Sequence, residues 1–205
     1  GNLEFVDQWL RWWLAGTGWD AWLTNMTSGL AAVNLAGPRA RDTLRKITGC
    51  DLSNAEFPYM ACREAAVAGV PSMLVRIGFV GETGWELHYP ADEGPRIWRA
   101  LMEAGAEFDI RPFGIEAQRL LRLEKKHVIV GVDTDALTTP FDADMAWVAR
   151  LDKPDFIGRA ALARASQAPP RESLVGFEMQ DATLPDDGAP VVIDGRPVGR
   201  VTSAR

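Results

Sequence analysis

Cysteine and histidine are scarce: the 205 residues contain two of each, Cys50 and Cys62, His88 and His127. Neither cysteine belongs to a CxxC pair, which argues against a disulfide scaffold or a thiolate metal site, and two imidazoles are too few for a His-rich zinc or iron centre. No metal site is therefore expected. The chain also lacks any run of about 18 uninterrupted apolar residues, and its N-terminus lacks a basic stretch leading into an apolar run and a small-residue cleavage site. No membrane segment is predicted, and a cytoplasmic location is the simplest expectation. Basic clusters are missing too. The net charge is −6, with Lys and Arg interspersed among acids, which argues against nucleic acid, since affinity for phosphate backbones comes from clustered cations. Finally, there is no GxSxG nucleophile elbow, no GxxxxGK[ST] phosphate loop and no GxGxxG dinucleotide fingerprint.

What is present is a soluble, foldable composition. Apolar residues make up 47% and charged residues 24%, which leaves no case for disorder. A domain of about 150 residues already buries some two thirds of its unfolded surface, so a chain of this length predicts one sizeable core plus a smaller appendage. Eight tryptophans are many for the length, and most of them are expected to serve packing in cores or interfaces.

Periodicity organises the chain. Val6, Trp9, Leu10, Trp13 and Leu14 recur at helical spacing, with Asp7, Gln8 and Arg11 opposite, and Gly16 and Gly18 end this amphipathic helix. Ala21–Met26 and Leu30–Leu35 read as a hairpin about Thr27-Ser28-Gly29. A helix over about 39–48 opens at Gly37-Pro38 and buries Ala40, Leu44 and Ile47. Residues 63–89 are the most β-like: Val67-Ala68-Gly69-Val70, a run from Met73 to Val80, then a run from Trp85 to Tyr89, the last two joined by a turn at Gly81-Glu82-Thr83-Gly84. Helices are predicted at about 92–106, 114–126 and 155–166. Past the linker Ala168-Pro169-Pro170-Arg171 come short strands at Leu174–Met179, Val191–Ile193 and Val198–Ser203, with a turn at Asp194-Gly195. Strands and helices alternate without strict βαβ regularity, so the predicted class is α+β, with residues 1–167 as the main domain and 168–205 as the start of a small antiparallel β domain that is incomplete at Arg205.

Two segments carry candidate chemistry. In Arg76-Ile77-Gly78-Phe79-Val80-Gly81-Glu82-Thr83-Gly84-Trp85-Glu86-Leu87-His88, strand alternation puts Glu86 and His88 on one face and Trp85, Leu87 and Tyr89 on the other, while Glu82 lies in the turn. A carboxylate in a β-rich core is costly unless paired. A pterin edge, with two adjacent N–H donors, suits it, but both glutamates could equally be solvated. In Gly114-Ile115-Glu116-Ala117-Gln118-Arg119-Leu120-Leu121-Arg122-Leu123-Glu124, Gln118 and Arg122 share a helix face, where Arg122 could steady an anionic tail, meet an acidic neighbour or form an ordinary helix salt bridge.

The order of segments adds more. Asn34-Leu35-Ala36-Gly37-Pro38-Arg39-Ala40-Arg41, then Gly84-Trp85-Glu86, Leu121-Arg122-Leu123-Glu124, Gly131-Val132-Asp133-Thr134-Asp135, Thr139-Pro140 and Lys153-Pro154-Asp155-Phe156-Ile157-Gly158 resemble, in sequence order, the glycine-cleavage T-protein, or aminomethyltransferase, superfamily. Asp51-Leu52-Ser53-Asn54 and Phe57-Pro58-Tyr59-Met60 are most similar to the sarcosine oxidase alpha and dimethylglycine-oxidising branch.

That resemblance implies a three-domain folate-binding fold around a central channel. It carries pteridine recognition over to Glu86 and an aromatic pocket position to Phe79, with Glu82, Gln118 and Arg122 as further tetrahydrofolate-binding candidates. Relatives have arginine where Gln118 stands, which bears on any folate-tail contact there. The family's essential aspartate is expected upstream of Gly1, so no catalytic residue is assigned and the fragment itself is expected to be inactive. The implied parent reaction captures a one-carbon unit from an amine-derived imine of sarcosine type as methylene-tetrahydrofolate, with FAD or FMN confined to a separate domain or flavin-bearing subunit. A non-catalytic folate or subunit-binding module and a folate-dependent demethylase are the alternatives. An iron–sulfur maturation relative would carry a KGCYxGQE-like segment, but residues 124–131 contain no cysteine.

Overall fold

The computed structural model describes residues 3–205, which divide into two compact units. The first takes the chain up to Gly78 together with Glu82–Pro112; the second takes Phe79–Gly81 and Phe113–Arg205.

In the first unit, helix α1 (Leu3–Thr17) is followed by strand β1 (Leu30–Ala36), helix α2 (Ala40–Arg45), strands β2 (Cys62–Val67), β3 (Val70–Val75) and β4 (Gly84–Pro90), and helix α3 (Gly94–Gly105). The strands form one antiparallel sheet in the order β1-β4-β3-β2. Alternation does the sorting. Leu35, Trp85, Leu87, Leu74 and Val67 point to one face and are buried there with Leu44 of α2 and Ile97 and Leu101 of α3. Pro95 near the start of α3 has no N–H to leave unpaired and presets the helical φ, which helps fix where that helix begins.

Several expectations need correction. Residues 21–26 form no strand: they make no ladder with β1, whose one neighbour is β4, and Trp22 and Met26 are exposed. The tight β-turn lies instead at Ala68-Gly69, both at positive φ (49° and 79°), the geometry that matches strand twist in a two-residue hairpin. β3 stops at Val75, not Val80. Its antiparallel pairing with β4 is as predicted, but residues 76–83 form a wider loop between them. The Ile77 N–H already folds back on the Val75 carbonyl (3.0 Å), which ends the extended run. The tryptophans also depart from expectation. Trp85 is fully buried, whereas Trp9, Trp12, Trp19, Trp22, Trp98 and Trp147 are exposed, and α1 has no buried residue. Most of these indoles stand on α1 or on irregular segments that no described sheet or helix face covers; Trp9 and Trp13 pack edge-to-face on each other.

The second unit contains helices α4 (Ile115–Leu123) and α5 (Arg159–Ala165) and the hairpin β5 (Pro190–Ile193)–β6 (Arg196–Arg200), turned at Asp194-Gly195 with positive φ at both. Residues 174–179 form no strand. Leu174 bonds the Asp142 carbonyl instead, and the following Val175, Phe177 and Met179 are exposed. Each helix is shorter than its periodicity predicts, because apolar spacing extends past the point where capping glycines and turns stop the backbone ladder.

Asp142 is the unit's principal loop tie. Its carboxylate accepts the Thr139 hydroxyl and N–H and the Arg171 N–H. Those bonds, the Thr139 hydroxyl foremost, pull its pKa down to about 2. A depressed carboxylate stabilises the fold above its unfolded pKa of about 3.9 and loses that contribution as pH falls through the folded value. Stability is therefore expected to drop between about pH 4 and pH 2, and Asp142→Asn should flatten that part of a urea-midpoint-versus-pH curve. A curve of unchanged shape would remove the tie.

Candidate functional site

The face of the sheet opposite the helices carries a polar row. Asn34 of β1 is in register with Glu86 of β4, and Val75 of β3 flanks Glu86 on the other side; Ala32, His88 and Met73 form the adjacent row. Trp85, Leu87 and Tyr89, buried on the helix side, lock the register that places Glu86 and His88 on this open face. Glu86 is half-exposed, its side chain 41% accessible, and its Oε2 lies 3.3 Å from Nε2 of His88. A carboxylate carried on a central strand and reached by one side-chain partner keeps acceptor capacity for a ligand. Glu82 is exposed in the 76–83 loop. That loop is tight on its own backbone: a Cβ at Gly78 would come within 2.5 Å of the Glu82 carbonyl, and the Gly37 N–H bonds the Thr83 carbonyl (2.9 Å).

In the second unit, Phe79 is half-buried and stacks on His127, ring centroids 5.7 Å apart and planes 26° from parallel. The His127 Nδ1 lies 2.5 Å from the Phe79 carbonyl. Gly81, at φ +83°, runs under the Lys125 side chain so closely that a Cβ would meet its Cγ at 2.0 Å. The segment 79–81 is thus clasped by the turn that follows α4.

On α4, Gln118 is half-buried and Arg122 fully buried. Of the readings open for Arg122, the acidic neighbour is what it meets. Its guanidinium bonds Asp133, the His127 and Arg119 carbonyls and the Ser203 hydroxyl, and the Arg122 and Asp133 side chains are each 3% exposed. Asp133 also accepts the Ile129 N–H and the Thr202 and Ser203 hydroxyls. Burial would raise the Asp133 pKa, but these bonds together outweigh it and hold the carboxyl below the usual range.

Sequence reasoning left three of these residues without a role. Asp133 stands in the Gly131–Asp135 segment that carries the family resemblance, and His88 is the strand neighbour of Glu86. His127 gave no local signal, since its partner is 48 residues away. Among the described residues there is no His, Cys, Asp and Glu grouping suited to a metal ion, and no helix long and apolar enough to cross a membrane.

The GCVT N-terminal domain family matches residues 1–153, and the chain belongs to that family. It is 39% identical over 202 residues to the sarcosine oxidase subunit alpha of Corynebacterium sp. (strain P-1), covering 95% of this chain and 20% of that protein. It is 33% identical over 202 residues to the aminomethyltransferase of Thermotoga petrophila, covering 98% of this chain and 54% of the relative. The chain thus spans a fifth to about half the length of these curated relatives. The crystal structure of the glycine cleavage system aminomethyltransferase T from Bartonella henselae superposes with a TM-score of 0.82 over 99% of this chain and 54% of that one, at 24% identity, which establishes the shared fold.

Proposed function

We propose that this chain is the tetrahydrofolate-binding part of a protein that captures a one-carbon unit from an oxidised, sarcosine-type amine as methylene-tetrahydrofolate. The observation that carries the reading is Glu86, a half-exposed carboxylate on the sheet face opposite the one that buries Trp85, Leu87 and Leu74. The pteridine edge presents two adjacent N–H donors, and a carboxylate accepts them as a charge-assisted pair. His88 reaches Glu86 through one oxygen, which leaves the other oxygen and the second lone pair of the first to accept the two donors. Glu82, on the loop that leads into β4, is a further polar group of the same unit.

The relatives support the class of chemistry, one being an aminomethyltransferase and another a sarcosine oxidase subunit. On the second likeness we assign the amine-derived imine as donor and place flavin, FAD or FMN, in a separate domain or partner subunit. Cytoplasmic placement and a C-terminal β domain beginning near residue 168 belong to the same reading. This chain's own residues would bind and orient; Glu86 is an orienting group rather than one that moves a proton. Holding the acceptor beside the donor and away from water is where rate is gained.

Glu86→Gln replaces one acceptor of the pair with a donor and should weaken tetrahydrofolate binding by about 1–3 kcal/mol, roughly fivefold to 150-fold. Anaerobic calorimetric titration of wild-type and variant protein measures it. Equal affinities would discard the assignment.

A further inference from the structure

We infer that Asn34 is a specificity residue: its amide, beside Glu86, reads the oxo group of the pteridine edge and sets which end of that edge lies over β1. The inference rests on the folate reading above and takes it one group further. Strands β1 and β4 run antiparallel with Asn34 directly opposite Glu86, and such pairs carry their Cβ atoms about 5 Å apart on the same face of a sheet. Both residues belong to the first unit. The flanking Val33 and Leu35 pack into the core, so alternation turns Asn34 the other way, onto the face that carries Glu86.

The Asn34 amide has no hydrogen-bond partner among the described residues, and its atoms are not among the buried ones that lack a partner, so they are open to a ligand. Glu86 in turn is reached by His88, at 3.3 Å, and not by Asn34. The remaining ladder neighbours offer no side-chain donor. Val75 flanks Glu86 on the β3 side, and Ala32 and Met73 stand in the next row. Asn34 is therefore the one amide among the ladder neighbours of Glu86, and it stands on the β1 side only.

The chemical consequence is an orientation. The pteridine of a folate presents three groups in a row along its edge: a ring carbonyl, a ring N–H and an amino group. Glu86 accepts from the two donors, which leaves the carbonyl as the next group along and in need of a donor. Val75 has none to give, whereas the Asn34 amide supplies an N–H. Amide and carboxylate thus match the acceptor–donor–donor order of the edge, and the oxo end lies over β1. A site that pairs each polar group rejects an analogue that leaves one unpaired or sets acceptor against acceptor.

The test compares tetrahydrofolate with its 4-amino analogue, in which an amino group replaces the ring carbonyl and the neighbouring ring N–H is lost, titrated anaerobically by calorimetry. Wild-type protein should prefer tetrahydrofolate by about tenfold or more, the scale of one hydrogen bond. Asn34→Leu keeps the shape, removes the amide, and should weaken tetrahydrofolate binding by about tenfold. Asn34→Asp has the same shape but only accepts. It should oppose the carbonyl and welcome the analogue's amino group, so that the preference shrinks by about tenfold or reverses. Thermal unfolding alongside wild type checks that both variants are folded. An Asn34 that merely shapes the strand would change both affinities equally in Asn34→Asp and leave their ratio intact, which would overturn the inference, as would unchanged tetrahydrofolate affinity in Asn34→Leu. If Glu86→Gln weakens tetrahydrofolate binding while Asn34→Asp keeps the wild-type ratio, the inference fails and the folate reading stands; if wild-type protein binds neither ligand, both fail.

Discussion

Asp133→Ala is expected to be the most destabilising single change in the second unit, lowering the free energy of unfolding by about 3–5 kcal/mol, the cost of leaving a buried charge without its partner. Asp133 gathers the Ile129 N–H, the Arg122 guanidinium and two hydroxyls from the last residues of the chain, Thr202 and Ser203. Removing it strands Arg122, whose side chain is 3% exposed and so largely shut off from bulk solvent. Urea unfolding of wild type and variant measures the loss. Pairing Asp133→Leu with Arg122→Met removes both charges together and should recover a large part of it, because the penalty belongs to the uncompensated ion and not to the pair as such. A single variant within about 1 kcal/mol of wild type would show that the pair is not desolvated.

Trp85→Ala should cost the first unit a comparable amount, about 3–5 kcal/mol, through the cavity left by a large buried aromatic. Trp85 is 0% exposed, meets Phe57 edge-to-face at 6.5 Å, and has the Arg41 and Arg76 guanidinium groups each 5.7 Å from its ring centre. Burial, reinforced by Arg41, holds the Arg76 pKa below its ordinary value, and the ring's negative face offsets part of that cost. Alanine removes the packing and this compensation together. Because Trp85 also fixes which way β4 faces, tetrahydrofolate binding should fall alongside stability, whereas Trp85→Phe should retain much of both. Thermal unfolding paired with calorimetric titration reads the two effects. Retained stability in Trp85→Ala would mean that the sheet's core closes without the indole.

Particular residues show how far local pattern reaches. The alternation Trp85-Glu86-Leu87-His88-Tyr89 was enough to assign faces, and the structure buries the aromatic and leucine side while leaving Glu86 and His88 half-exposed. The period of a strand is two and needs only its own residues to be read. The same logic failed for 21–26 and 174–179, which have strand-like composition but no partner ladder, since β propensity is realised only against a neighbour. It also failed for the tryptophans, because a large apolar side chain is buried only where another surface comes to meet it.

The amino-acid sequence by itself settled the α+β class, the family, the inward and outward sides of β4 and the positions of the main helices, all properties carried by short-range spacing or by segments in fixed order. Only the tertiary structure decided that Arg122 meets Asp133 and Ser203, that Phe79 stacks on a histidine 48 residues away, and that the sheet runs β1-β4-β3-β2. Those choices depend on which distant segments close on one another and leave no buried polar group unpaired, and periodicity along the chain carries no record of that.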